Sequence, residues 1–349
     1  MKRIRLLLLL LFIPLGAFLL FLLFASIDDY TPDEISELAI RETPDILPDS
    51  SIFDLLIWNI GYAGLDASMD FFYDGGEMVR PNEHGVQENL EGIRTTLSAY
   101  RDYDFILLQE VDRNSKRSYR KNQVELITAD FKGFNGHFGL NYDVAFVPIP
   151  LGEPMGKVES GLLSLSEYEA EKTERYSFPG NYSWPMKLFM LDRCFLVERF
   201  RLSSGKQLLV INTHNSAYDD GSLRKEQMSF LKNFLLEEYG KGNYIIAGGD
   251  WNQTPNGMKP ELPSHVFDTI SLTYVEKDFP STEWTWAYDP NLPTNRRVAQ
   301  PYKQDTTPTT VIDYFLLSPN IKALEVETRD VDFRFSDHQP VRLKAQLQF

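Results

Sequence analysis

The chain holds one cysteine among 349 residues, so it can form no intrachain disulfide and no multi-cysteine metal cluster. Its stability must come from core burial or from ligands. Cys194 lies between Arg193 and Phe195 in an apolar, strand-like run, the setting of a buried inert thiol. Basic charge is also scarce. Lys and Arg number 35 against 50 Asp and Glu, giving a formal net charge of -15 and a pI near 4.9. The chain thus lacks the basic surface that supplies most non-specific affinity for a nucleic-acid backbone, which disfavours long duplex DNA as a partner. No repeat of fixed period and no linker that would split off a second domain is present. The length suits one large domain or two small ones.

What is present begins with the amino-terminal residues. Lys2, Arg3 and Arg5 precede an uninterrupted apolar run from Leu6 to Ala25, followed by Asp28 and Asp29. The run is about 20 residues, enough to cross a bilayer and longer than the roughly 7 to 15 residues of a signal-peptide core. No polar residue gives it a wet face, which argues against a buried helix of a soluble core. Residues 1–29 are therefore expected to be a membrane anchor, with a cleaved signal segment as the alternative; Leu23 stands where cleavage wants a small residue. Basic residues before the run orient the amino terminus toward the cytoplasm and the rest outside it, on the membrane or, if cleaved, secreted or periplasmic.

Residues 30–51 carry Pro32, Pro44 and Pro48 among six acidic residues, the composition of a solvated spacer, with a short helix around Glu34 to Glu42. Residues 52–349 read as one catalytic domain. Strand-like runs fall at Phe53–Trp58, Phe105–Gln109, Val144–Pro148, Gly161–Leu165, Phe195–Arg201, Leu208–Thr213, Tyr244–Gly248 and Ile312–Leu317. Two helices are clear, Gln87–Tyr100 and Leu223–Tyr239, with apolar residues at helical spacing. Lys132 to Trp184 reads as strands joined by long turns. Many strands with few helices between them predict an α/β fold of two mixed sheets packed face to face with helices outside.

Polar residues stand at the ends of these strand-like runs, where side chains leave the sheet and can converge. Asn59 follows the first strand, ahead of Gly61; ordinary turn chemistry is an alternative reading of it. Glu110 closes Leu107-Leu108-Gln109, where an ionised carboxylate needs a cation unless the strand end is exposed. His214 ends Val210-Ile211-Asn212-Thr213; a lone histidine is often structural. Gly248-Gly249 bring the backbone close, after which Asp250 and Asn252, two residues apart, can point into one pocket. Asp337 and His338 put a carboxylate and an imidazole on one short loop, suited to metal binding and proton transfer, and Asp313 could orient an imidazole from a neighbouring strand.

This set in this order resembles the endonuclease/exonuclease/phosphatase superfamily over about Phe53 to Phe349. The resemblance implies a four-layer α/β sandwich and metal-dependent hydrolysis of phosphate esters. By motif it implies that Asn59 is metal- and phosphate-proximal, Glu110 the principal metal carboxylate, and Asp337 a further metal ligand. Asp250 and Asn252 correspond to the pair that positions the water and the scissile phosphate. His338 corresponds to the general base or transition-state stabiliser, oriented by Asp313, and His214 to a second imidazole on the phosphate or leaving group. The chain departs from the deoxyribonuclease branch after Glu110, where Val111-Asp112-Arg113 does not clearly supply a DNA-contacting arginine. Lys157 to Ser164 resembles the family's central strand and is assigned only a pocket wall.

Oxygen ligands suit a hard octahedral ion, Mg²⁺ first, with Mn²⁺ or Ca²⁺ as alternatives; zinc lacks the His or Cys cluster it prefers. The leading expectation is a phosphodiesterase or phosphatase acting on a lipid headgroup or small phosphoester outside the cytoplasm. An extracytoplasmic nuclease and a catalytically silent binding module are the alternatives. Substrate identity, metal count and oligomeric state are not fixed by the residues.

Overall fold

The structure is a computed structural model that describes residues 2–49, 51–217, 219, 221–258 and 273–348; of residues 2–11 it describes the backbone alone. Along the chain, helix α1 (Lys2–Ile27) leads into strands β1 (Ile35–Ile40), β2 (Ile46–Leu47) and β3 (Ile52–Asn59). Helix α2 (Glu83–Leu97), strand β4 (Phe105–Asp112) and helix α3 (Gln123–Asp130) follow, then strands β5 (Asn135–Val147), β6 (Gly156–Ser166), β7 (Lys172–Ser177), β8 (Cys194–Leu202) and β9 (Gln207–His214). Helix α4 (Ser222–Gly240) precedes β10 (Tyr244–Asp250), β11 (Thr285–Ala287), β12 (Asn295–Arg296), β13 (Thr309–Thr310), β14 (Asp313–Leu317), β15 (Ile321–Thr328) and β16 (Val341–Leu347).

The strands form two mixed sheets. One has the order β1-β7-β8-β9-β10-β14-β11, with β2 beside β8; the other runs β15-β16-β3-β4-β6-β5. Their central strands read as continuous apolar runs because both faces are covered. Phe53, Leu55 and Ile57 of β3, with Phe105 and Leu107 of β4, meet Leu208 and Val210 of β9, Ile246 of β10 and Phe315 and Leu317 of β14 between the sheets. The alternate residues of β3 and β4 pack outward beneath α2 and α3, while those of β9, β10 and β14 pack beneath α4. This period of two, read on both faces, makes the four layers expected from the sequence. Each fully buried Leu, Ile or Phe contributes roughly 1.5–3 kcal/mol.

Several elements differ from expectation. The segment Glu34 to Glu42 is not a helix: Ile35–Ile40 is an edge strand antiparallel to β7. With β2 parallel to β8, the acidic segment 30–51 adds two strands to the sheet instead of hanging free. The run at Val144–Pro148 is the end of the 13-residue β5, whose earlier half is hidden by Gly and polar residues. Helix α2 starts at Glu83, four residues before Gln87, because Asn82 caps it by accepting from the Gly85 N–H at 2.9 Å. Cys194 is buried, and burial pushes its thiol up, in keeping with an inert side chain. Among residues whose side chains are described, no helix is long and apolar enough to cross a membrane; Leu6 to Leu11, the first part of the apolar run, lie outside them.

Candidate active site

The eight residues singled out from the sequence come together at one end of the two sheets, at the floor of a cavity of about 540 Å³ or just beneath it. Strand pairing explains the convergence. Asn59 ends β3, whose neighbour β4 carries Glu110. His214 and Asp250 end β9 and β10 and are register partners in a parallel pair, while Asp250 faces Asp313 across the antiparallel pair with β14. Asp337 and His338 lie in the loop that enters β16.

Local backbone features aim these side chains. The β4–β6 register shifts between Leu108 and Val111, and Glu110 has φ 55°, so its carboxylate turns out of the ladder toward the cavity. Gly249 has φ 146°, and an added Cβ would collide with the Thr213 carbonyl oxygen, so only glycine lets β9 and β10 approach this closely. That approach sets His214 Nε2 3.4 Å from Asp250 Oδ2 and 4.0 Å from Glu110 Oε1.

Asn59 holds the carboxylates in place. Its Nδ2 donates to Asp250 Oδ2 at 2.9 Å and, more weakly, to Glu110 Oε1 at 3.4 Å, while its Oδ1 accepts from the Gly61 N–H at 3.0 Å. Reversing the amide would set oxygen against carboxylate and N–H against N–H. Asn59 therefore presents its NH₂ to the site and positions Asp250, which differs from the metal-ligand role expected of it. Asn252, at φ 51°, donates its backbone N–H to Asp250 Oδ1 at 2.9 Å, and its Nδ2 donates to the Asn215 carbonyl at 2.9 Å. Asp250 is thereby fixed through both oxygens.

His338 Nδ1 lies 2.8 Å from Asp313 Oδ2, the orienting contact expected from the sequence. The loop carrying it is tied down at three points: Trp58 Nε1 donates to the His338 carbonyl, Ser336 Oγ to the Asn59 carbonyl, and the His338 N–H to Ser336 Oγ. Its Nε2 stands 3.7 Å from Asp250 Oδ2 and 3.9 Å from Asp337 Oδ2. Burial opposes a charge on His338, but Asp313, Asp337 and Asp250 outweigh it and hold the imidazole well above its ordinary value. His214 goes the other way. Burial pushes it well below its ordinary value, helped by Arg193, His338 and Arg117, so it is a neutral imidazole at neutral pH.

Two carboxylates are displaced in the same manner. Burial pushes Asp337 up to about 7, with His338 pulling it down and Glu110 pushing it up; burial pushes Asp313 up to about 6 against the pull of His338. Glu110, Asp250, Asp313 and Asp337 thus stand close to one imidazolium, and burial makes a charged Asp337 costly. A divalent cation between Glu110 and Asp337 would remove that penalty, so the donor set fits a hard, oxygen-liking ion. Asp250, Asp313 and His338 also each offer an atom within 4.8 Å of the others. There, however, His338 Nδ1 already engages Asp313 Oδ2, which favours Glu110 and Asp337 as ligands.

Other residues of the site carried no strand-end signal. Asn295 Nδ2 lies 3.0 Å from His338 Nε2, and Thr310 Oγ1 lies 3.2 Å from Asn295 Oδ1. Because the Thr310 hydroxyl can donate or accept, the Asn295 amide can turn to suit either protonation state of His338. Arg117 pairs with Asp112 through two hydrogen bonds and lies 3.8 Å over the Tyr62 ring, forming a cationic wall. Ser160, in the segment expected to be a pocket wall, does line the cavity.

A family model described as Endonuclease/Exonuclease/phosphatase family matches residues 56–338. No curated protein sequence matches the chain. Among solved structures, an endonuclease/exonuclease/phosphatase from Beutenbergia cavernae DSM 12333 is 19% identical, with 85% of this chain and 72% of that chain covered and a TM-score of 0.57. ANGEL2, a 2′,3′-cyclic phosphatase, in complex with adenosine-2′,3′-vanadate is 14% identical, with 89% and 100% covered and a TM-score of 0.55. D. rerio TDP2 complexed with single strand DNA product is 13% identical, with 84% and 99% covered and a TM-score of 0.51. At these identities the likeness is one of fold.

Proposed function

Because the chain belongs to the endonuclease/exonuclease/phosphatase family, whose enzymes are divalent-metal-dependent hydrolases of phosphate esters, we propose that it is a Mg²⁺-dependent phosphodiesterase or phosphatase acting on a lipid headgroup or small phosphoester outside the cytoplasm. The observation that carries this reading is the meeting of Glu110, Asp250, Asp337 and the Asp313–His338 pair on one cavity floor.

In the proposed reaction a water on the cavity side of Asp250 attacks phosphorus. Its proton passes to Asp250 as the new O–P bond forms. The His338 imidazolium donates through Nε2 to the phosphoryl oxygen that gains charge, and Asp313 fixes the ring and stabilises its charge. Neutral His214, donating through Nε2, hydrogen-bonds the leaving oxygen as the P–O ester bond breaks, and that oxygen takes its proton from solvent. Glu110 and Asp337 would hold Mg²⁺, with Mn²⁺ as a substitute, and the ion supplies Lewis-acid polarisation of the phosphoryl group. The similar folds of ANGEL2, a 2′,3′-cyclic phosphatase, and of TDP2, bound to a single-strand DNA product, are consistent with this chemistry.

The extracytoplasmic, anchored placement rests on sequence: Lys2, Arg3 and Arg5 before the apolar run and Asp28 and Asp29 after it. The net charge of -15 favours a small or lipid phosphoester over duplex DNA. The test is hydrolysis by the purified full chain in detergent of a generic phosphodiester, sphingomyelin, inositol phosphates and plasmid DNA, with Mg²⁺ and with EDTA. Metal-dependent turnover of a lipid or small ester is expected. Turnover confined to DNA would replace the reading with the nuclease one, and silence across the panel from a folded, metal-binding chain would favour a binding module.

A further inference from the structure

Helix α1 does not simply trail from the domain; its last two turns are packed against it. Phe21 stacks on Phe189 with ring centroids 5.7 Å apart and meets Phe146 edge-on at 6.1 Å. Trp184 Nε1 donates to Ser26 Oγ at 3.3 Å, and Lys187 Nζ donates to Asp29 Oδ2 at 3.1 Å. These contacts fix the depth of the domain relative to the helix. Phe21 lies four residues before Ala25, the end of the apolar run, or about 6 Å at 1.5 Å per residue. If α1 spans the bilayer, Phe146 and Phe189 sit at the depth of Phe21, below the membrane surface.

The surface around this junction is apolar. Trp184 is 57% exposed, Met186 52% and Leu151 88%, and Phe146 and Ile149 are also exposed. The exposed side of α1, with Phe18, Leu19, Leu20, Leu23 and Phe24, continues the patch. The same segments reach the cavity. Tyr182, two residues before Trp184, lines it; so does Tyr142, whose hydroxyl donates to the Phe189 carbonyl at 2.9 Å. Met155, which closes the loop holding Leu151 by donating its N–H to the Ile149 carbonyl, is a third lining residue.

We propose that Trp184, Met186, Phe146, Ile149 and Leu151 form a collar that dips into the bilayer surface beside the cavity mouth, so that the enzyme takes a phosphoester headgroup from a membrane-resident amphiphile. This deepens the proposed function and rests on its anchored reading of α1. The occupant is lipid because the patch is continuous with the apolar run, and a chain of net charge -15 gains nothing from an anionic surface. Contact is therefore apolar, with Trp184 at headgroup level, where an indole suits both phases.

The test reconstitutes the full chain in phosphatidylcholine vesicles with and without brominated acyl chains and reads tryptophan fluorescence. Trp58, Trp251 and Trp284 are buried and Trp286 is half-buried, so bromolipid is expected to quench about a fifth of the signal, the share of one tryptophan in five. Trp184→Phe removes that quenching, and adding Leu151→Trp restores it. In parallel, Trp184→Ser with Met186→Ser is expected to slow hydrolysis of vesicle-borne sphingomyelin or phosphoinositide at least tenfold and leave the soluble bis(4-nitrophenyl) phosphate unchanged. If the chain does not float with the vesicles, the anchor reading falls and the collar with it. Flotation without Trp184-dependent quenching overturns the collar and leaves the anchor standing. Turnover of the soluble diester alone overturns the membrane-resident substrate, whereas no turnover of either ester defeats the hydrolase reading while quenching still decides the collar.

Discussion

The floor of the cavity draws mainly on strands and its walls mainly on turns and loops. Asn59, Glu110, His214, Asp250 and Asp313 of the floor lie on strands paired to neighbours in one or other of the two sheets, and Asp337 and His338 lie on a loop pinned by Trp58 and Ser336. Tyr62, Tyr182, Leu191, Arg297 and Pro308 of the walls come from turns and connecting loops. Chemistry that needs fixed distances is thus placed on strands or on a loop tied to them by hydrogen bonds, and much of the surface that would choose a substrate on segments free to vary. Substitutions in the floor should therefore act on turnover, and those in the walls on binding.

The largest effect is expected from Asp250→Asn, which keeps the shape of the side chain and removes its charge. Turnover of a soluble phosphodiester should fall on the order of 10³-fold with KM little changed; a circular-dichroism melt like that of the wild type would confirm that the loss is chemical. Gly249→Ala attacks the same floor through its backbone. With φ 146° and a Cβ directed at the Thr213 carbonyl, it should destabilise by about 3 kcal/mol, measured by urea unfolding. Mg²⁺ should raise stability by about 2.7 kcal/mol at a hundredfold excess over its dissociation constant. Glu110→Gln with Asp337→Asn should abolish that gain in a thermal melt, and retention of it would move the ion elsewhere.

Wall effects should be smaller and of another kind. Tyr182→Ala is expected to raise KM about tenfold, or 1.4 kcal/mol, with kcat unchanged; a matching fall in kcat would erase the contrast between floor and walls. Asp192, between the wall residues Leu191 and Arg193, bears on stability and not on turnover. Burial, with Asp29 nearby, pushes its carboxyl up to about 7, above its unfolded value near 3.9. The unfolded chain therefore releases this proton first, and stability falls as pH rises from about 4 to about 7 before levelling. Asp192→Asn should remove that slope, raising stability at pH 8 and leaving it unchanged at pH 4, as read from unfolding curves at the two values.

The same division explains what the sequence disclosed. Central strands such as β3, β9 and β10 are apolar on both faces, and the polar residue that ends each one stands out against that background. Edge elements have no such contrast. Ile35–Ile40 spaces Ile35, Leu38 and Ala39 in a way that also suits a helix, and Ile321–Thr328 and its inner neighbour Val341–Leu347 mix charge with apolar residues because one face is wet. Asn295 sits in a two-residue strand with no hydrophobic run to announce it, and its importance comes from a contact with His338, 43 residues away. The pairing of Asp112 with Arg117 had a signal, opposite charges five residues apart after a buried strand, but only the fold shows that Tyr62 lies beneath the guanidinium. The role of Asn59 turned on which end of an amide faces the carboxylates, which depends on the Gly61 N–H and cannot be read from residue type.

The most direct measurement of the central claim compares wild type with His338→Ala on a soluble phosphodiester, after EDTA treatment and again after Mg²⁺ is restored. Wild-type turnover should vanish with EDTA and return with Mg²⁺, while His338→Ala, folded and still stabilised by Mg²⁺, should stay at least 10³-fold slower throughout. Turnover that survives EDTA, or a His338→Ala enzyme as fast as wild type, would contradict the account.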